Sequence, residues 1–432
     1  MTGRRASGFG LRSVFVAVVL GGMAVLAAQS TIEERFFDGL DHPAIAYTST
    51  PVDDPVQRLD RDLENGTRRL TRDPATGYLK SLLQLLEVPE SSQVAVFSQT
   101  SLQARVINPA TPRAIFFNDT TLVAWPAGGF IEIAAQDARQ GLQFYVLDQR
   151  EASQPRLLQR PPPCLNCHLS YATLNVPGTL VRSMATGPGG QSLPHLGNGT
   201  TTHRTPLAER WAGWFVTGQS GQSAHLGNTL TPVDATEPAG ARPSALPALP
   251  ESAGPGRYPT AHSDIAALLV FDHQTHLMNL LTRLGWEVRV AQADRPADAP
   301  AIAAAAAVDV VDYLLFVDEA PLAGPVGGTS GFAAAFAGRG PRDGRGRSLR
   351  ELDLHSRLFR YRCSYMIYAP AFDALPDVGR EAVYARMWQV LSGGDRAPRY
   401  ARLPLAERQA IAEILRETKA GLPGIFKQPV SQ

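Results

Sequence analysis

The stretch AIFFNDTTLVAWPAGGFIEIAAQDARQGLQFYVL, residues 114–147, breaks into short runs of β-branched and aromatic residues separated by turn formers. Ala114 to Asn118, Thr121 to Trp125, Phe130 to Ala134 and Leu142 to Leu147 read as strands, and Gln93 to Ser98 and Ala104 to Ile107 extend the series upstream. The connections are far too short for parallel crossovers, so the predicted sheet is small and antiparallel. Before it, Leu79, Leu82, Leu83, Leu85 and Leu86 recur at helical spacing within 77–88 and predict a short helix.

Directly after the sheet comes Cys164-Leu165-Asn166-Cys167-His168. The order C-x-x-C-H supplies two thiols for thioether bonds to haem vinyl groups and an imidazole for the iron. Two intervening residues place both sulfurs along one porphyrin edge, and the adjacent His is then held beneath the iron as proximal ligand. A structural zinc site would need a second ligand pair at finger spacing, whereas His273 and His276 lie far downstream. A thioredoxin-like pair would need a strand-to-helix setting, and Pro161-Pro162-Pro163 stands where that strand would end. A plain disulfide is the remaining alternative. The reading adopted is one covalently attached haem c.

The N-terminus agrees with that reading. Arg4, Arg5 and Arg12 precede an apolar run from Val14 to Ala28, followed by Gln29, Ser30, Glu33 and Glu34, the order of an export signal. Cleavage after Ala27 or Ala28 fits the small-residue rule, and retention of residues 14–28 as a membrane anchor is the alternative. Arg4-Arg5 reads as ordinary leader charge rather than a twin-arginine signal, because haem is attached after export of an unfolded chain. The expected location is periplasmic or exported.

Composition sets wide bounds. With 44% hydrophobic residues and a formal net charge of +1, the 432-residue chain has material for a large core and nothing that points to nucleic acid. The predicted organisation is a leader over 1–28, a linker over 29–60, a β-rich region over 61–160 and a haem-attachment region over 161–228. A proline-rich loop over 229–259 follows as the expected domain boundary, then a helical region over 260–432. In that last region Ser263-Asp264 caps a helix reaching about Leu284, further helices span Ala301 to Val317, Glu381 to Leu391 and Leu405 to Glu417, and Leu322 to Gly346 is a glycine-rich loop. The predicted class is therefore α+β: a small antiparallel β-rich N-terminal region, an irregular haem-wrapping segment and a mostly helical C-terminal half.

The second axial ligand decides what such a haem does. His225, in a glycine-bounded loop, ranks first as distal candidate, and His273, on an apolar helical stripe with Val270, Leu277, Leu281 and Leu284, ranks second. His203 and Met184 follow the motif at short range, and His42 reads as surface. Trp211-Ala212-Gly213-Trp214-Phe215 either packs on the porphyrin or belongs to the core. Cys363, left over after haem attachment, reads as a buried structural thiol. Arg342, Arg345, Arg347, Arg350, Arg357, Arg360 and Arg362 read either as a docking or propionate-pairing run or as a solvated loop.

On Cys164, Cys167 and His168 the chain resembles the c-type cytochromes, more narrowly large single-haem exported bacterial proteins with long non-haem flanks. The resemblance implies an iron cycling between ferrous and ferric states and electron transfer with redox partner proteins in the periplasm. The chain departs from the small cytochrome c pattern in its sheet-rich N-terminal region and in having no obvious downstream methionine ligand. It also lacks the second CxxCH of the dihaem peroxidases. The alternative is a haem-dependent periplasmic oxidoreductase acting on peroxide or a small sulfur compound, or a haem-based sensor, and the residues assign no catalytic group.

Overall fold

A computed structural model describes residues 31–32, 37–152, 155–159 and 162–430; the leader, including 14–28, lies outside the described residues. A seven-stranded sheet runs in the order β6-β5-β4-β3-β2-β1-β9, every neighbouring pair antiparallel. Its members are β1 Val94–Val96, β2 Arg113–Phe117, β3 Thr121–Pro126, β4 Ile131–Asp137, β5 Gly141–Leu147, β6 Leu157–Gln159 and β9 Trp214–Phe215. Two small ribbons accompany it, β7 Val181–Met184 with β8 Asn198–Thr201, and β10 Gly218–Gln219 with β11 Ala245–Leu246. The protein is α+β.

Side-chain turns set the meander. Asn118 Oδ1 accepts from the backbone N–H of Thr120 and Thr121 at 3.0 and 2.9 Å between β2 and β3. Asp137 Oδ1 does the same for Arg139 and Gln140 at 2.8 and 2.7 Å between β4 and β5, where Gly141 takes a φ of 82°.

Both sheet faces are covered. Ala114, Phe116, Val123, Trp125, Ile131 and Ile133 face the helices α1 Pro55–Glu64 and α2 Leu79–Leu85. The opposite phase, Ile115, Phe117, Leu122, Ala134 and Phe144, joins a large core built on helices. Beyond the four-residue α3 Leu165–His168, these are α4 Ile265–Asp294, α5 Ala299–Leu314, α6 Phe332–Gly338, α7 Pro370–Asp373, α8 Asp377–Leu391 and α9 Leu405–Thr418. Asp264 caps α4 through Oδ1 to Ala266 and Ala267 at 2.8 and 3.2 Å, and its Oδ2 holds the backbone N–H of Thr329 and Ser330.

Several expected elements differ. Ala104–Val106 is a 3₁₀ turn, because Asn108 Oδ1 captures the N–H groups of Ala110 and Thr111 and folds the chain back before a ladder forms. Strands β6 and β9 were too short and too close to proline and glycine to stand out. Helix α4 continues past Leu284 to Asp294: Gly285 leaves room for Leu375, while Trp286 and Val288 are fully buried, and burial outweighs the helix penalty of one glycine. The glycine-rich loop contains α6, whose Phe332 and Phe336 are both buried, Phe336 edge-on to Tyr365 at 4.9 Å. Within 229–259, Leu249, Ala253 and Tyr258 are buried, and Tyr258 donates its hydroxyl to Pro112 O at 2.7 Å. Among the described residues no helix is long and apolar enough to cross a membrane.

Candidate cofactor site

The chain leaves the sheet at one edge, β6, and returns to build the opposite edge, β9. The segment between them carries CxxCH past the helix-core face of the sheet. Between that face and the CxxCH segment lies a cavity of about 350 Å³, a volume within the range of small-molecule and cofactor sites. Cys164, Cys167 and His168 all line it.

The sheet phase explains the hollow. Ile115, Leu122, Ala124, Glu132, Ala134, Phe144 and Val146 line the cavity, and the register sets Ala124 opposite Glu132 and Ala134 opposite both Leu122 and Phe144. Two alanines among larger neighbours leave a depression that Leu180, Trp214 and Phe271 roof without filling.

His168 is held in one orientation. Its Nδ1 lies 2.8 Å from the carbonyl oxygen of Gly178. A carbonyl only accepts, so Nδ1 carries the proton and Nε2 is the nitrogen with a free lone pair. Metal-binding imidazoles in general have their other nitrogen fixed in this way. Burial lowers the pKa of His168 and so favours the neutral, ligating form; the Gly178 bond, Arg113, Glu132 and Arg182 act more weakly, in both directions. Burial, then the Glu132 carboxylate, then Cys167 push the Cys164 thiol up to about 11, which keeps it protonated at neutral pH. The donor set, two free thiols and one neutral imidazole on an apolar cavity, fits a thioether-bound haem.

Three charged residues that the sequence reading passed over share the cavity wall: Arg113, Glu132 and Arg182. Arg113 Nη1 donates to Glu132 Oε2 at 3.0 Å, and Ser101 Oγ donates to Glu132 Oε1 at 2.9 Å. Arg182 makes no salt bridge with a described residue. The signal was present in the strand phase: Arg113 alternates with Ile115 and Phe117, and Glu132 with Ala134, so each is a charge on an inward-facing position.

Neither distal candidate reaches the cavity. His225 is fully buried, with Nδ1 accepting from Gly227 N at 3.0 Å and Nε2 2.8 Å from Ser244 Oγ, so both ring nitrogens are committed. His273 is fully buried between His203, Nδ1 to Nδ1 at 2.7 Å, and Ser364 Oγ at 2.7 Å from Nε2. The loop of His225 folds into the core instead of swinging free, and the apolar stripe of His273 faces Tyr313 and Phe316. His203 and Met184 are also buried away from the cavity, and His42 is on the surface beside Asp294 at 3.2 Å.

From the aromatic cluster, Trp214 lines the cavity and donates Nε1–H to Arg182 O at 2.7 Å, while Trp211 lies in the core and donates to Asp272 Oδ2 at 3.0 Å. Cys363 is fully buried, and burial raises its thiol pKa. Each arginine of the run meets a carboxylate of Asp119, Asp343, Glu351, Glu407 or Glu413, some of them shared, and none lines the cavity. Among the described residues no group of three or more His, Cys, Asp or Glu assembles to hold a bare metal ion. Comparison with protein-family models, with curated proteins and with solved structures finds no match.

Proposed function

We propose that this chain is an exported c-type cytochrome that carries electrons for redox partner proteins by cycling one covalently bound haem between its ferrous and ferric states. The observation that carries this reading is the convergence of Cys164, Cys167 and a His168 fixed in the ligating tautomer on one apolar cavity. Haem supplies the one-electron chemistry when bound; Cys164 and Cys167 would hold it through thioethers and His168 Nε2 would take the iron. The segment 161–228 would form the wall that wraps it, with the sheet as the other wall. The basic residues 4, 5 and 12 and the apolar run 14–28 support export or anchoring at the membrane.

The test is an optical spectrum, oxidised and reduced, of the full chain matured with haem in a bacterial periplasm. A haem that stays with the polypeptide through acid and organic extraction supports the proposal. A chain that matures without covalent haem overturns it and returns Cys164 and Cys167 to thiol chemistry.

One observation favours a second reading, in which the haem serves a small substrate or signal. All nine histidines of the chain are among the described residues, and of these only His168 lines the cavity. No methionine among the described residues lines it either. A haem seated there would have one strong protein ligand and an iron face open to a small molecule.

A further inference from the structure

Arg113 carries an unused donor. Its Nη1 is committed to Glu132, yet its Nε is buried and has no hydrogen-bond partner among the described residues. A guanidinium N–H taken from water and left unpaired is costly, and such an orphan on a cavity wall is a place where an acceptor atom fits. Two acceptors are conceivable beside a haem: its own propionates and a molecule bound to the iron.

The charges distinguish them. Arg113 is paired with Glu132, and Ser101 fixes the other carboxylate oxygen, so this corner is close to neutral and would set a second carboxylate against Glu132. Arg182 lines the same cavity with no salt bridge to a described residue and is the better partner for a propionate. Resting on the haem reading above, we propose that Arg113, held by Glu132, is the hydrogen-bond donor to a small uncharged ligand of the iron. The class is that of diatomic gases and hydrogen peroxide, molecules that bind iron through one atom and present an acceptor on it or beside it. Glu132 is then a positioning residue that fixes the guanidinium, and the ligand site is polar on one side and apolar on the others.

The experiment uses the matured full-length protein with carbon monoxide and nitric oxide as probes, comparing wild type with Arg113→Leu, Arg113→Lys and Arg182→Leu. Arg113→Lys retains a cation for Glu132 and removes only the planar donor, so it tests the donor even where Arg113→Leu fails to fold. The expected result is carbon monoxide binding to the reduced protein, a C–O stretch that moves to higher wavenumber in both Arg113 variants, and roughly tenfold faster release of nitric oxide, the scale of one hydrogen bond to a charged donor. Arg182→Leu leaves the stretch in place and shifts the midpoint potential. Covalent haem that is indifferent to both gases overturns this inference and leaves the electron-carrier reading standing, whereas absence of covalent haem overturns that reading itself. A stretch that responds to Arg182 and not to Arg113 also overturns it, and moves the donor role to Arg182.

Discussion

His168 Nδ1 and the carbonyl oxygen of Gly178, ten residues downstream, are 2.8 Å apart, and Asn279 on α4 fixes the peptide that follows. Asn279 Oδ1 accepts from Thr179 N at 3.2 Å, and its Nδ2 donates to Thr179 O at 2.8 Å. A Cβ on Gly178 would meet Asn279 Oδ1 at 2.2 Å, so glycine is required there by close approach. The long helix thus sets the orientation of the imidazole through one amide and one peptide. Replacement of Asn279 by Leu leaves both Thr179 backbone groups buried and unpaired, a loss of about 1–3 kcal/mol. The expected outcome is a lower Tm together with a displaced haem midpoint potential, because His168 loses its fixed partner. An unchanged potential in a folded variant would show that the Gly178 carbonyl does not tune the ligand.

On the haem proposal the two cysteines would make separable contributions. Both line the cavity and neither is in a disulfide, so each is free to form its own thioether. Cys164→Ala and Cys167→Ala singly are expected to leave one thioether, read as a red-shifted pyridine haemochrome band with haem still on the polypeptide by intact mass. The double variant is expected to lose all covalent haem. Cys363→Ser should leave haem attachment unchanged, since that thiol is fully buried and does not line the cavity.

The hollow in the sheet can be filled. Ala134 faces the cavity between Leu122 and Phe144, so Ala134→Phe places a ring in space that is open in this structure. The unloaded protein is expected to keep its far-ultraviolet circular dichroism and its Tm, because the added ring buries apolar surface without displacing a neighbour. Haem loading is expected to fall by an order of magnitude or more. Full loading of that variant would place the haem elsewhere.

Much of this was legible before any coordinates, for identifiable reasons. β2, β3 and β5 begin and end within one residue of their sequence limits, because β2 to β5 alternate between two apolar faces and their turns carry Asn118, Asp137 and Gly141, while β4 runs three residues past Ala134 to Asp137. The cavity-lining Cys164, Cys167 and His168 could be singled out because they lie close together in the chain. The cavity was not legible, since it arises from strand register: Ala124 and Ala134 mean nothing until pairing sets them beside Glu132, Leu122 and Phe144. The packing of His225 was not legible either, because a glycine-flanked loop looks mobile in sequence, whereas Ser244 and Gly227 N hold the ring in place. The ion pairs of the arginine run were not legible, its Asp and Glu partners being spread from residue 119 to residue 413.

The buried histidines give the fold an acid limit. Burial holds His273 down at about 3, helped by His276, and His225 down at about 4, helped by Arg242. Unfolded histidine titrates near 6.5, so below roughly that pH the unfolded chain takes up protons that the folded chain refuses. Stability from these two groups is therefore complete above about pH 6.5 and drains as pH falls toward 4 and then 3, at about 1.4 kcal/mol per pH unit for each imidazole. Glu319 works in the opposite sense: burial holds it up at about 7, so the stability it gives at low pH is lost as pH rises from the ordinary carboxylate range through 7. Comparing variants isolates each imidazole from such opposing groups. His225→Gln and His273→Gln are each expected to be less stable than wild type at neutral pH, having lost a hydrogen bond to Ser244 or Ser364, but to lose less stability on acidification. Denaturant unfolding at a series of pH values between about 5 and 7.5 measures the slope directly. A wild-type slope retained in both variants would mean that other groups set the acid limit.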